Sequence, residues 1–77
     1  MKIIDNSECL IGFGKFIKEG RERQGLYQAD VAEQLGISQP YYSTIENGAR
    51  NVDLFLAIRI CRELNLDLSD YINTYLK

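Results

Sequence analysis

Gln39, Tyr41, Ser43, Thr44 and Asn47 crowd into ISQPYYSTIENG, the stretch 37–48 of this 77-residue chain, and each carries a neutral hydrogen-bonding group. Ser38 followed by Pro40 gives the stretch the opening of a helix: a side-chain oxygen to cap it, then a residue whose missing N–H has no helical partner to lose. The solvated face of a helix ordinarily carries Lys and Glu. Here the exposed positions hold donors and acceptors without charge, and the stretch poses the question of what those groups face.

The chain as a whole offers little to a reaction. It has no His, which removes the commonest general base and any Ser-His-Asp arrangement. Cys9 and Cys61 stand apart with no CxxC spacing, so they read as plain thiols, Cys61 in the core, and neither zinc-ligand spacing nor a disulfide framework is present. A glycine-rich GxxxxGKS phosphate loop is also missing. No catalytic residue, metal or cofactor is expected.

The elements that must position the polar stretch belong to one small domain. An apolar content of 45% with a single Pro and no low-complexity tract argues for a folded chain whose core is small enough that a partner subunit would add useful burial. No apolar run approaches the ~18 residues of a membrane span, and MKIIDNSECL carries Asp5 and Glu8 where a signal peptide needs basic residues before an apolar stretch. A cytoplasmic location is expected. Nine Lys and Arg against eleven Asp and Glu give a net charge of −2, without the basic footprint common in nucleic-acid binders. The imbalance is local, however. Between Gly12 and Arg50, five basic residues (Lys15, Lys18, Arg21, Arg23, Arg50) balance five acids (Glu19, Glu22, Asp30, Glu33, Glu46), so the excess acid lies outside that segment.

Periodicity reads as helix throughout, and the expected fold is all-α. Phe13, Phe16, Ile17 and Gly20 form the apolar stripe of a first helix that ends at Gly25. Gly20 on that stripe costs about 1 kcal/mol of helix propensity, which points to close approach of a neighbouring helix. A second helix spans Gln28 to Leu35, burying Val31, Ala32 and Leu35, and stops at Gly36. The third runs from the Ser38 cap to Asn47 with Tyr42 and Ile45 inward, closed by Gly48. The fourth covers residues 53–64 with Leu54, Ala57, Ile58, Cys61 and Leu64 on one stripe. The fifth follows from Ser69 as N-cap through Tyr71, Ile72, Tyr75 and Leu76.

Two short helices joined by a tight turn at Gly36, with Ala32 letting them cross closely, form a helix-turn-helix. The run RERQGLYQADVAEQLGISQPYYSTIENGARN, residues 21–51, resembles the phage repressor and Cro-like (XRE-type) family of small bacterial transcription regulators. Arg21, Gly25, Leu26, Gln28, Val31, Ala32, Gly36, Ile37, Ser38, Ser43, Ile45, Glu46, Gly48 and Arg50 all stand in the family's register. The resemblance covers all but the first dozen residues. It implies a five-helix lambda-repressor-like domain over residues 13–77, preceded by an N-terminal extension over residues 1–12, whose third helix enters the major groove of double-stranded DNA.

Carried onto this chain, the resemblance puts Gln39, Pro40, Ser43 and Thr44 at base-reading positions. Tyr27, Gln28, Tyr41, Asn47 and Arg50 fall at or beside phosphate-holding ones, Tyr41 reading equally well as a core filler. The neutral groups of the opening stretch then face base edges: Gln pairs with adenine, Ser and Thr contact several bases, and Pro40 or the Thr44 methyl packs on a thymine methyl. An ordinary exposed helix is the plain alternative. Arg21 and Glu46 resemble the family's structural ion pair.

Some positions depart from the pattern. Tyr27 stands where Ser or Thr caps the second helix, Tyr42 replaces a smaller Ile or Val, and Asn51-Val52 lacks the customary Pro. Phe55 and Leu56 stand where most relatives are polar, leaving the fourth helix apolar almost all round, and such a helix needs two partners. One is its own core. The other is expected to be a second subunit, as in the similar controller proteins of restriction-modification systems, with Phe55, Leu56, Arg59, Ile72, Tyr75 and Leu76 as interface candidates; Ile3 and Ile4 of the extension wrapping the core are the alternative.

The resemblance implies a homodimeric, sequence-specific regulator, a repressor or autoregulator, on a pseudo-palindromic operator. A protein-interaction module on the same frame, an antitoxin or adaptor with a protein partner, is the other class. The acidic balance favours the second; Gln28, Gln39, Asn47 and Arg50 in register favour the first.

Overall fold

Four short polar side chains set where most of the helices begin. In the computed structural model, which describes residues 5–76, α1 (Asn6–Arg23) is capped by Asp5, whose carboxylate accepts from Glu8 N at 2.9 Å. Ser38 accepts from Tyr41 N at 3.2 Å to open α3 (Gln39–Glu46), and Asp53 accepts from Leu56 N at 2.8 Å to open α4 (Leu54–Glu63). At α5 (Leu68–Tyr75) the cap is Asp67, two residues earlier than the expected Ser69. Ser69 instead donates both its N–H (2.9 Å) and its hydroxyl (2.8 Å) to that aspartate, which holds the carboxyl below its ordinary value.

α2 (Gln28–Leu35) is the exception. Tyr27 supplies no side-chain cap, and only the reverse bond forms, with Tyr27 N donating to the Asp30 carboxylate at 3.3 Å. Its far end is well made: Gly36 sits at φ +73°, where a Cβ would strain, and Ile37 N donates back to Ala32 O at 3.0 Å.

The described residues contain these five helices and no strand. α1 lies across α3 and α5, while α2 packs on α3 and α4. Phe13, Ile17, Val31, Leu35, Ile45 and Leu64 are buried at the centre with Tyr42. Two glycines let α1 approach its neighbours. A Cβ on Gly14 would run into the backbone carbonyl of Glu46, so α1 crosses the end of α3 almost backbone to backbone. A Cβ on Gly20 would lie 2.6 Å from Leu66 Cδ1. The neighbour that Gly20 admits is thus a side chain of the α4–α5 turn and not another helix.

α1 extends further back than its apolar stripe suggested. The boundary expected after residue 12 falls inside it, and residues 6–12 form part of the platform for α5. Tyr71 donates its hydroxyl to Cys9 O at 2.8 Å and meets Phe13 edge-on at 5.4 Å, and Tyr75 stacks on Tyr71 and lies against Gly12. At its other end α1 stops at Arg23, with Gln24 rather than Gly25 as cap.

The fourth helix is rotated from the expected stripe. Ile60 is fully buried beside Cys61 and Leu64, whereas Leu54 is 60% and Ile58 38% exposed. The inward set is Ala57, Ile60, Cys61 and Leu64, an equally good i, i+3, i+4, i+7 series in which only Ile60 was not counted. Burial pushes the Cys61 thiol up to about 11, with the Asp67 charge adding to it, so it stays a thiol at neutral pH. Ile3 and Ile4 lie outside the described residues.

Candidate nucleic-acid interface

One carboxylate fixes α3 to the two helices before it. Glu46 is buried at the last turn of α3; its Oε2 accepts from Arg21 Nε at 2.7 Å and its Oε1 from Arg21 Nη2 at 3.0 Å, a two-pronged pair from α1. The same Oε1 accepts from Gln28 Nε2 of α2 at 2.9 Å. Arg21 Nη1 donates to Leu26 O at 2.8 Å, so each guanidinium nitrogen has a partner.

Burial alone would raise the Glu46 carboxyl, but the hydrogen bonds from Arg21 and Gln28 outweigh it and hold the group below its ordinary value. Arg21 is correspondingly raised by its bond to Glu46, against the desolvation of its own charge. The Tyr42 phenol ends in this cluster. Its hydroxyl is buried beside Glu46 with no partner in hydrogen-bonding geometry, and burial first, then the close approach and charge of the Glu46 carboxylate, pushes its ionisation far up. It is a neutral neighbour of the pair. The substitution of a phenol for a smaller aliphatic at position 42 was visible in the sequence; its arrival at the ion pair was not.

With Tyr42, Ile45 and Glu46 turned inward, α3 presents a separate outer face. Gln39, Pro40 and the capping Asn47 are exposed, and Ser43 is half-buried. Thr44 is more committed than its expected base-reading role implies: its hydroxyl donates to Tyr41 O at 2.6 Å and accepts from Arg50 Nε at 3.3 Å. Arg50, in the loop after α3, lies with its guanidinium carbon 4.9 Å from the centre of the Tyr41 ring. Tyr41 is itself half-buried against the core, the filler role considered for it.

At the start of α2, Tyr27 is 76% exposed beside the free N-terminal amides of the helix, and Gln28 is half-buried because its amide is bonded to Glu46. Gln28, Asn47 and Arg50 all border the α2–turn–α3 unit. Helix N-termini of this kind bind anions through backbone N–H groups. No cluster of metal-ligating side chains occurs among the described residues.

The residues expected at a subunit interface divide into three groups. Phe55 (76%) and Ile72 are exposed. Leu56, Tyr75 and Leu76 are half-buried against their own core. Arg59 is used within the chain, its Nη2 donating to Leu35 O at 2.6 Å at the C-terminus of α2. Leu54 and Ile58, assigned to the core stripe on sequence, join Phe55 on the outer side of α4.

An all-helical domain whose second and third helices meet at a glycine turn, the third pinned from behind and polar in front, is a helix-turn-helix DNA-binding domain. Comparison with known proteins gives the family. The helix-turn-helix family model matches residues 17–71, and the chain belongs to that family of XRE-type transcription regulators, which are not enzymes. It is similar to the control protein C.MunI of a Mycoplasma species, 41% identical over 65 residues that cover 83% of this chain and 88% of that one. It also resembles the ImmF control region 10 kDa protein of Bacillus phage phi105, 39% identical over 56 residues, or 73% of this chain and 62% of the phage protein. Among solved structures it matches the restriction-modification controller protein C.AhdI from Aeromonas hydrophila with a TM-score of 0.78 and 28% identity, covering 88% of this chain and 99% of the controller.

Proposed function

We propose that this chain is a cytoplasmic, homodimeric regulator that reads a pseudo-palindromic operator, with α3 of each subunit in the major groove, and acts as a repressor or autoregulator. The observation that carries the reading is the outer face of α3: neutral donors and acceptors on a helix held from behind by the Arg21–Glu46–Gln28 bonds. Gln39, Pro40 and Ser43 then face base edges, with Thr44 contributing its methyl. Tyr27, the α2 amides, Gln28, Tyr41, Asn47 and Arg50 lie along the phosphates. The names of the relatives, a control protein and a restriction-modification controller, support a control role of the same kind.

Charge and surface together support dimerisation. A chain of net charge −2 makes few phosphate contacts alone, and a two-fold pair doubles them on one face of the duplex, with recognition helices about 34 to 36 Å apart. Leu54, Phe55 and Ile58 provide an apolar surface for that pairing.

The test is selection of duplexes from random sequence, followed by titration of the selected and random duplexes over a range of salt. A selected site, a steep salt dependence and a loss of about 1 to 3 kcal/mol with relaxed preference at one or two base pairs in Gln39→Ala are expected. Unchanged site preference in Gln39→Ala would displace the docking. The exposed apolar side of α4 and the acidic balance also suit an antitoxin or adaptor that binds another protein, and weak, sequence-blind binding of both duplexes would favour that function instead.

A further inference from the structure

Arg50 is the exposed cation of the α3 border, and the structure does not leave its side chain free. A long guanidinium stem on a loop would ordinarily lose its rotamer freedom only on meeting a phosphate. Here two residues of α3 already hold it. The Tyr41 ring lies beneath the guanidinium at 4.9 Å, and the Thr44 hydroxyl accepts from Nε at 3.3 Å. That hydroxyl is itself oriented, because its proton goes to Tyr41 O at 2.6 Å. Thr44 and Tyr41 stand at i and i−3 on α3, so both supports lie on one helix face. The ring is half-buried against the core, and the platform is therefore anchored. With Nε engaged by Thr44 and the guanidinium over the ring, the two terminal nitrogens of Arg50 make no hydrogen bond among the described residues and keep a fork that can match two oxygens of one phosphate.

We propose that Tyr41 and Thr44 are positioning residues that preorganise Arg50 as a clamp for a single backbone phosphate of the operator. The idea rests on the DNA-binding function proposed above and assigns to Tyr41 and Thr44 a part different from direct contact. The Tyr41 face lowers the cost of ordering Arg50, and the Thr44 hydroxyl sets its rotation. Neither residue reads a base through its polar atom. Arg50 consequently contributes the same increment on every sequence, and loss of either support matters only while Arg50 is present.

The experiment measures affinity for the selected duplex over a range of salt for wild type, Arg50→Ala, Tyr41→Leu, Tyr41→Phe and Thr44→Val, and for Tyr41→Leu combined with Arg50→Ala. NMR of the free proteins follows the Arg50 side-chain protons, which the Tyr41 ring current moves upfield. Arg50→Ala is expected to weaken all sequences alike and to reduce the salt slope by about one. Tyr41→Leu and Thr44→Val are expected to weaken binding by about two- to fivefold, the size of an exposed cation–aromatic contact, and Tyr41→Phe to regain most of that loss. In the Arg50→Ala background Tyr41→Leu should add almost nothing. Full additivity of the two losses, or unchanged affinity in Tyr41→Leu and Thr44→Val, would overturn the clamp. So would Arg50 protons at the same shift in wild type and Tyr41→Leu. A wild type that binds no duplex at low salt, with the ring-current shift intact, would instead bring down the DNA-binding function on which the clamp depends.

Discussion

The third and fourth helices solve the same problem, fixing a short helix to a small core, by opposite means. α3 is held by direction-dependent bonds: one buried carboxylate meets Arg21 of α1 and Gln28 of α2, and a glycine at position 14 lets α1 cross it closely. α4 is held mainly by area, through Ile60, Cys61 and Leu64, with hydrogen bonds only at its margins, from Arg59 to the end of α2 and from Gln24 to Leu64 O at its C-cap. Hydrogen bonds and close backbone crossings specify angle as well as attachment, whereas apolar contact specifies mainly that a surface is covered. The helix with the polar outer face has the angular restraint. The helix with a leftover apolar side has the adaptable one.

The comparison is most strongly challenged by Glu46→Ala. That change leaves the Arg21 guanidinium buried without its partner and is expected to cost about 3 to 5 kcal/mol in chemical or thermal unfolding, with Glu46→Gln milder because it keeps an acceptor. Stability unchanged by Glu46→Ala would mean that area alone also fixes α3.

Gly14→Ala comes next. The added methyl meets the Glu46 carbonyl, and a backbone cannot step aside as a flexible side chain does, so a loss of about 1 to 3 kcal/mol is expected in the same unfolding measurement. Unaltered stability would show that the α1–α3 crossing relaxes freely.

Acid sharpens the contrast further. The folded Glu46 carboxyl titrates below its unfolded value, so the stability it contributes is fully present above the ordinary value of 4.5 and is lost as pH falls through the lower, folded value. Urea melts taken from neutral pH down to about pH 3 should therefore show a decline in wild type that is shallower in Glu46→Gln. Parallel declines would assign the acid sensitivity to other carboxylates.

The smallest effect on the fold is expected on α4. Phe55→Glu removes no core contact, and monomer stability should move by no more than about 0.5 kcal/mol. Under the proposed pairing through this side of α4, sedimentation should nonetheless shift from dimer to monomer. A variant that sediments as wild type does would move the interface off this side of α4.

How far each helix can be read from sequence follows the same division. The limits of α2 and α3 are legible because Gly36, Ser38 and Pro40 each act locally, through a backbone angle, a cap and a missing N–H. The registration of Arg21 with Glu46 is legible through the family resemblance, and their bond lengths add what register alone cannot give. The rotation of α4 is not legible. Leu54, Ala57, Ile58, Cys61 and Leu64 form as good a stripe as one that includes Ile60, and only packing on α2 chooses between them. The Asp5 and Asp67 caps are hidden for another reason: Asp67 competes with an adjacent Ser69, and Asp5 precedes a polar turn in which helical periodicity has not begun. The bond that Arg50 Nε donates to the Thr44 hydroxyl depends on a loop conformation, and no spacing rule records it.

The Arg21–Glu46–Gln28 bonds make the scaffold indifferent to what α3 displays. Every atom that sets the helix angle belongs to the inner side, and among the described residues the side chains of Gln39 and Ser43 form no hydrogen bond with the rest of the protein. Those two positions can therefore be rewritten with little structural consequence. On the proposed docking, drift there would change which duplexes are preferred while leaving melting behaviour alone, so that new operator preferences could arise one outer residue at a time.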